Sequence, residues 1–441
     1  MRAGCSTSSI AIPRGASFGR MFAPSPVIDR CRVCGNPQLL PCFSLGSQYL
    51  SSMFPDSLGY HEQVPRLPLD LVMCATSESA GTCGLVQLAH HLDLSAMYQA
   101  YPYTSATNAA MPRVLESVAD AGRGAQTLSP GDVVLDIGCN DGTLLAFFKD
   151  DTLELVGIDP AQNVTLALDA GRCAHVRDYF SAKAYASVTK KKAKLVFSVA
   201  MFYHLHDPVT FSREVAECLA DDGVWIIQMA YLPSMIATNM YDNIVHEHAG
   251  YYGTHHMQWV MDHVGLEVFD VELNDVYGGS FRLFVKKKQN ENLQPTERLR
   301  ENLKMEVDAK ILLVSTYRAF ASRIERTRAD LRALTARLRS DRKTIWVYGA
   351  STKGNTILQY CGLGKDELVA AADASSFKLG KYIVGADIPI RDEASMREAR
   401  PDYLLALPYS FVNAFMRREA ALVSQGTRFI VPLPEVRVVP T

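Results

Sequence analysis

The chain is 441 residues long, 48% hydrophobic and 21% charged, with a formal net charge of -2. That length suits roughly three domains of about 150 residues each, and the near-neutral balance leaves no basic field for nucleic acid. The longest apolar runs, such as Tyr403 to Pro408, are far shorter than the roughly 20 residues a bilayer span requires, so no membrane partner is expected.

Residues 1–27 read as a flexible extension. Its first 20 residues are rich in Ser and Arg and contain no acid or apolar h-region, which argues against a secretory signal and for a cytoplasmic location, with Met21 an alternative start. The segment 28–95 is turn-rich. Here Cys31-x-x-Cys34 is followed by Cys74 and Cys83, four thiolates of the kind that close a tetrahedral structural zinc site. The second pair is loosely spaced, with eight residues between its members, and reduced, unpaired thiols are the alternative. Cys42 reads as a buried bystander.

Segment 96–288 alternates apolar strands with helical patterns, "DVVLDIG", "LELVGID", "AKLVFSVAM" and "GVWIIQM", the spacing of a largely parallel sheet. The first strand runs into Asp136, Gly138, Asn140 and Gly142, after which a helix is expected. Glycines there let a cofactor approach the backbone at the carboxyl end of a strand. Twenty-three residues past Asp136, the next strand ends in Asp159, placed to accept hydrogen bonds from ribose hydroxyls. The D-x-G-x-x-x-G run with its second acid resembles the cofactor motifs of class I S-adenosylmethionine methyltransferases. Asp178 either meets the adenine amino group or is a solvated loop acid.

The run "YDNIVHEHAGYY" (Tyr241 to Tyr252) sets Glu247 between His246 and His248. Two-residue spacing puts both rings on one face only in an extended segment, unlike the i, i+4 pair of a zinc protease. Proton transfer suits the cluster better, because histidine titrates near neutrality and a carboxylate can fix its tautomer. Segment 289–343 is a helical linker. Its charged run Thr296 to Arg342 lacks Gly and Pro and reads as one long helix or a helical pair. Segment 344–441 opens with "TIWVYGASTKGN", a strand and loop of a second Rossmann-like unit. Its amides, with Lys353 and Asn355, are placed to cradle a diphosphate, or else form a loop with a solvated lysine.

Taken together, "CGLVQLAH", "YPYTSAT", "LDIGCNDGTLL", the H-E-H run, "DVYGGSFR", "YGASTKGNTILQYCG" and "RFIVPLPEVRVV" resemble the bacterial nucleotide-sugar C-methyltransferases of deoxysugar pathways, from Cys31 to Val439. The resemblance implies an α/β protein: a zinc module, a class I methyltransferase domain with a Rossmann-like parallel sheet, and a C-terminal Rossmann-like domain. It implies S-adenosylmethionine and structural zinc as cofactors and a keto-sugar nucleotide as substrate. It places His248 as base, Glu247 as the group that orients or polarises, and His246 on the substrate or the enolate oxygen. Tyr103 becomes a sugar contact or a packing tyrosine. Three departures bear on the sugar: Val245 stands for the tyrosine of Y-H-E-H, Ala106 for a glycine, and the Cys74 to Cys83 gap is long. An O- or N-methyltransferase of another small metabolite, and a non-catalytic scaffold, are the alternative readings.

Overall fold

The computed structural model describes residues 26–59, 64–76, 81–99, 104–107, 111–162, 164 and 171–440. Tyr103 and nearly all of the extension 1–27 lie outside the described residues. No helix among those described is long and apolar enough to cross a membrane.

Three strands open the chain: β1 (Leu39–Gln48), β2 (Leu67–Cys74) and β3 (Val86–Leu88). They pair antiparallel, and β2 alternates buried and half-buried positions as a sheet with one covered face should. The central sheet follows with β4 (Val133–Ile137), β5 (Glu154–Ile158), β6 (Cys173–Val176), β7 (Ala193–Val199) and β8 (Leu219–Ala230), all mutually parallel. All five β4 residues are buried, which is why its sequence is a continuous apolar run closed by one acid. Strand β9 (Gly250–Tyr251) leaves the central unit and adds antiparallel to β3, Val86 opposite Tyr251. Strands β10 (Leu266–Asn274) and β11 (Ser280–Lys287) then return as a hairpin on the edge of β8, giving the order β10-β11-β8-β7-β4-β5-β6. Order reverses at β4, whose carboxyl end is therefore the crevice where such sheets take ligands.

The charged run after residue 295 forms two helices, Glu297–Asp308 and Val314–Ser340. Thr296 caps the first through the Leu299 amide, and Lys310 in a left-handed conformation marks the break. On the second, Tyr317, Phe320, Ile324, Thr327, Leu331, Thr335 and Leu338 recur every three or four residues and are buried, the stripe of an amphipathic helix.

The C-terminal sheet comprises β12 (Ile345–Tyr348), β13 (Ala371–Ala372), β14 (Tyr382–Ile383), β15 (Ile388–Arg391), β16 (Tyr403–Ala406), β17 (Arg428–Val431) and β18 (Arg437–Val439), in the order β14-β15-β13-β12-β16-β17-β18. Its inner five strands are parallel and its two edges antiparallel. The order reverses at β12, so the G-A-S-T-K-G loop leaves from the position that the cofactor motif occupies on β4. One apolar core joins all three units: Leu69, Leu71 and Val86 from the first sheet, Tyr241 and Ile244 from the central unit, Phe320 and Leu331 from the long helix, and Val347 and Ile357 from the last.

Candidate active site

Strand β2 ends at Cys74, and β3 pairs with it so that the Cys74 amide donates to the Leu85 carbonyl. That ladder carries Cys83 back over Cys74 whatever the intervening loop does, and Cys31 and Cys34 approach from one tight turn. The four sulfurs lie within 4.8 Å of one another, with Cys31 to Cys83 at 3.5 Å and Cys34 to Cys74 at 3.4 Å. The Val33 amide, Gln87 Nε2 and Asn36 Nδ2 all point donors at these sulfurs, which suits thiolates. Cys42 is half-buried, its thiol pushed up to about 12 by burial, and stands apart from the cluster.

At the carboxyl end of β4, Gly138 and Gly142 take φ of 75° and 74°, and Asn140 is left-handed at 48°. Asparagine is the residue other than glycine that accepts this conformation most readily, so Asn140 fits a position where a β-branched side chain would be strained. Its Oδ1 accepts the Ser105 amide at 2.9 Å, and Asp141 Oδ2 accepts the Ala106 amide at 2.8 Å, so residues 105–106 lie over the loop. Asp159, half-buried at the end of β5, accepts the Asn140 amide on Oδ2 and the Ala161 amide on Oδ1. Asp136 is buried beneath it, and burial, with the Asp159 and Asp141 charges, pushes its carboxyl up to about 8. Asp178 is exposed just beyond β6 and accepts the Tyr179 amide. The helix expected after Gly142 is only a 3-10 turn, Leu145–Phe147. Beyond that turn Asp150, accepting from Thr152, closes the chain into a second turn before β5.

Every residue from Tyr241 to Tyr252 is buried. Tyr241–Asn243 form a 3-10 turn and His246 and Glu247 a second turn, so the segment is not extended and the two histidines face different partners. His248 Nδ1 lies 2.8 Å from the Asn243 carbonyl. A carbonyl only accepts, so Nδ1 carries the proton and Nε2 is left with its lone pair. Burial, then the His204 and Lys353 charges, hold the His248 pKa well below the ordinary range. The group that fixes its tautomer is therefore a backbone carbonyl, a correction to the orienting role expected of Glu247. His246 keeps only an acceptor nitrogen for a substrate. Its Nε2 donates to the Leu67 carbonyl at 3.0 Å, and burial lowers its pKa to about 4. A neutral imidazole has one N–H, and with that one committed, none remains for an enolate oxygen. Glu247 is buried, which raises its pKa, against the Ser52 hydroxyl and the Lys353 charge, which lower it.

Lys353 reaches in from the first turn of the helix Thr352–Cys361. Its ammonium donates to Asn243 Oδ1 and lies over the Tyr277 ring at 5.2 Å. Asn355 does not join it. Its side chain is buried with Nδ2 on the Ser51 carbonyl at 3.4 Å, and its Oδ1 has no partner among the described residues.

Three stretches of the chain match known families: 31–98 a putative zinc binding domain, 108–271 a methyltransferase domain, and 275–434 the C-methyltransferase C-terminal domain. The C-methyltransferase NovU of Streptomyces niveus is 31% identical over 418 residues, spanning 93% of this chain and 97% of that protein. The chain belongs to the C-methyltransferase family. Solved structures similar to it include the plantazolicin methyltransferase BpumL with SAH, at 12% identity over 44% of this chain and 94% of that one, TM-score 0.33. Another is the magnesium protoporphyrin IX methyltransferase of Synechocystis, at 14% identity over 40% and 83%, TM-score 0.32.

The methyltransferase is S-adenosylmethionine-dependent, and its four-cysteine cluster is a structural zinc site. Sulfur distances of 3.4–3.5 Å are close to the roughly 3.8 Å edge that Zn–S bonds of about 2.3 Å would set. Four cysteines fill the coordination sphere, so the metal holds β1–β3 together and is closed to substrate. The loop after β4 would fit such a cofactor: its glycines put no side chain into the β4 crevice, and each Asp159 oxygen keeps a lone pair beyond the amide it accepts.

Two residues of the methyltransferase escaped the sequence reading. His204 stacks on His248 with centroids 5.5 Å apart, its pKa lowered to about 3 by burial and the His206 charge. Tyr203 lies 4.2 Å from the His248 ring and lines a small cavity with it, together with Tyr231, Asn243 and Gly250. Both follow β7 in "MFYHLHD". The signal was positional, since residues just past the carboxyl end of a central strand border the ligand crevice.

Proposed function

We propose that this C-methyltransferase methylates a ring carbon next to the ketone of a nucleotide-linked keto-sugar. The observation that carries the reading is the Nε2 lone pair of His248, given no partner among the described residues, on a buried neutral base held in one tautomer by the Asn243 carbonyl. Carbon is a poor nucleophile until a proton is removed from it, and a ketone is what makes that proton acidic enough. In this reading Nε2 takes the α-proton, the C–H electrons move into the carbonyl as an enolate, and Glu247, in its protonated form, donates to the keto oxygen. S-adenosylmethionine, when bound, supplies the electrophilic methyl group, with Asp136, Gly138, Asn140, Gly142 and Asp159 holding it and Asp178 bordering it. The Tyr203 hydroxyl takes the place of the one that Val245 lacks, because its ring lies against His248 and Glu247 acts on it. The sugar nucleotide itself rests on the family resemblance of the motifs, with Tyr103 and Lys353 its nearest candidates for contact.

Incubation with labelled S-adenosylmethionine and a panel of 4-keto sugar nucleotides tests the reading. Label on a ring carbon supports it. Label on oxygen or nitrogen turns the assignment to a heteroatom methyltransferase, in which His248 deprotonates a hydroxyl or amine.

A further inference from the structure

The 3-10 turn Tyr241–Asn243, which ends in the carbonyl that holds His248, is gripped at each of its three side chains by the C-terminal unit. Tyr241 Oη lies 3.6 Å from Cys361 Sγ. Asp242 Oδ1 accepts the Tyr409 hydroxyl at 3.0 Å. Asn243 Oδ1 accepts the Lys353 ammonium. Two of these partners lie on the helix Thr352–Cys361 and the third on the 3-10 turn Tyr409–Phe411. The turn's own backbone bonds are local: the Tyr241 amide reaches the Asn239 carbonyl at 2.9 Å, the Asn243 amide the Met240 carbonyl at 3.3 Å and the Ile244 amide the Tyr241 carbonyl at 2.9 Å. Burying Asp242 and Lys353 is costly unless they are paired, and here they lie in each other's field. The direct contacts, Lys353 on Asn243 Oδ1 and Tyr409 on Asp242 Oδ1, fix where the turn sits.

We propose that Lys353 and Tyr409 are positioning residues for the base: they clamp the Tyr241–Asn243 turn, and the clamped Asn243 carbonyl holds His248 in the tautomer that leaves Nε2 free. The C-terminal unit thereby completes the catalytic loop as well as facing the substrate. Besides Lys353, the groups that bear on the His248 ring are Tyr203 and His204 from the turn after β7 and its chain neighbour Glu247. Of these Lys353 is the cation, so its removal makes the imidazole easier to protonate.

This inference rests on the keto-sugar reading for its kinetics but not for its spectroscopy. Lys353→Met and Tyr409→Phe are compared with wild type in the full-length protein, the second losing only a hydroxyl should the first fail to fold. Displacement of a base by about 1 Å costs on the order of 100-fold, so kcat is expected to fall about 10- to 100-fold in both variants, with KM within about twofold for Tyr409→Phe. For Lys353→Met the acid limb of the pH–rate profile should also move to higher pH. In substrate-free protein labelled with 15N-histidine, the Nδ1–H signature of His248 should be present in wild type and lost or mixed in the variants. Retention of that signature in both variants overturns the clamp. So does a Lys353→Met enzyme with KM raised tenfold or more at unchanged kcat and pH profile, which would make the lysine a ligand of the substrate diphosphate. If no keto-sugar nucleotide is turned over even by wild type, the substrate reading fails, and the imidazole signature alone decides the clamp.

Discussion

A base is useful only if it is neutral, aimed and out of competition with water, and His248 is kept neutral by its burial and aimed by one backbone oxygen. His248→Asn keeps a donor for the Asn243 carbonyl and removes the basic nitrogen. Turnover is expected to fall about 10²- to 10⁴-fold while calorimetric affinity for S-adenosylmethionine stays as in wild type. In heavy water with an unreactive cofactor analogue, wild type should wash deuterium into the carbon beside the ketone and the variant should not. Equal exchange would move the base elsewhere, to His246 first, whose Nδ1 keeps its lone pair while its Nε2–H is tied to Leu67. At the cofactor end, Asp159→Ala removes an acceptor for ribose hydroxyls and also the anchor of the Asn140 and Ala161 amides. Loss of charge-assisted bonds of roughly 1.5 to 3 kcal/mol should weaken S-adenosylmethionine binding about tenfold or more; undiminished affinity would take Asp159 out of the site. Both residues could be named from sequence because their side-chain types fall at marked positions. The partner of His248 could not, because a backbone carbonyl leaves no trace in residue type. Nor could the turn at His246 and Glu247, which sends the two rings apart.

Strand β9 is two residues long, yet it fastens the H-E-H loop to the zinc module: the Leu88 amide donates to the Ala249 carbonyl at 3.0 Å, and Gln87 pairs with Gly250. Gln87 in turn points Nε2 at Cys31 Sγ, 3.2 Å away. The binding energy of a closed cysteine site is largely folding energy, so its loss should loosen β3 and then the loop that β3 holds. Purified protein should contain about one zinc per chain. Cys31→Ser, or a strong chelator, should lower the melting temperature and depress activity in parallel. Metal-free protein with unchanged melting and turnover would show that the cysteines are structural bystanders. Most other elements were legible: β4, β5, β7 and β8 are apolar runs with turn residues at their ends, and the stripe from Tyr317 to Leu338 has helical spacing. The misses share a cause. Strand β9 and the 3-10 turn after Gly142 depend on contacts made elsewhere, which local pattern does not encode.

Across the whole molecule the units meet around buried histidines, and this makes their junctions sensitive to acid. His256 shows it in a form separable from catalysis. Its Nδ1 accepts the Gly253 amide at 2.9 Å in the central unit, and its Nε2 donates to the Gly84 carbonyl at 3.3 Å in the zinc module. Burial, then the His255 charge, lowers its pKa to about 3. Protonation would set a second N–H against the Gly253 amide. With a folded pKa below the ordinary value near 6.5, the unfolded chain binds more protons between about pH 6.5 and 3, and stability rises with pH across that window. The contribution is complete above about pH 6.5 and is lost as pH falls toward 3; by pH 5.5, one unit below the unfolded value, the loss amounts to about 1.4 kcal/mol. Other groups tilt the total, and Asp136, held up to about 8, acts with the opposite sign, so the effect has to be read as a difference. His256→Gln has no imidazole to protonate. Wild type should lose more melting temperature than this variant between pH 7.5 and 5.5, with the two curves running parallel above pH 7.5. Parallel curves through the whole range would mean that His256 is not held neutral at the junction.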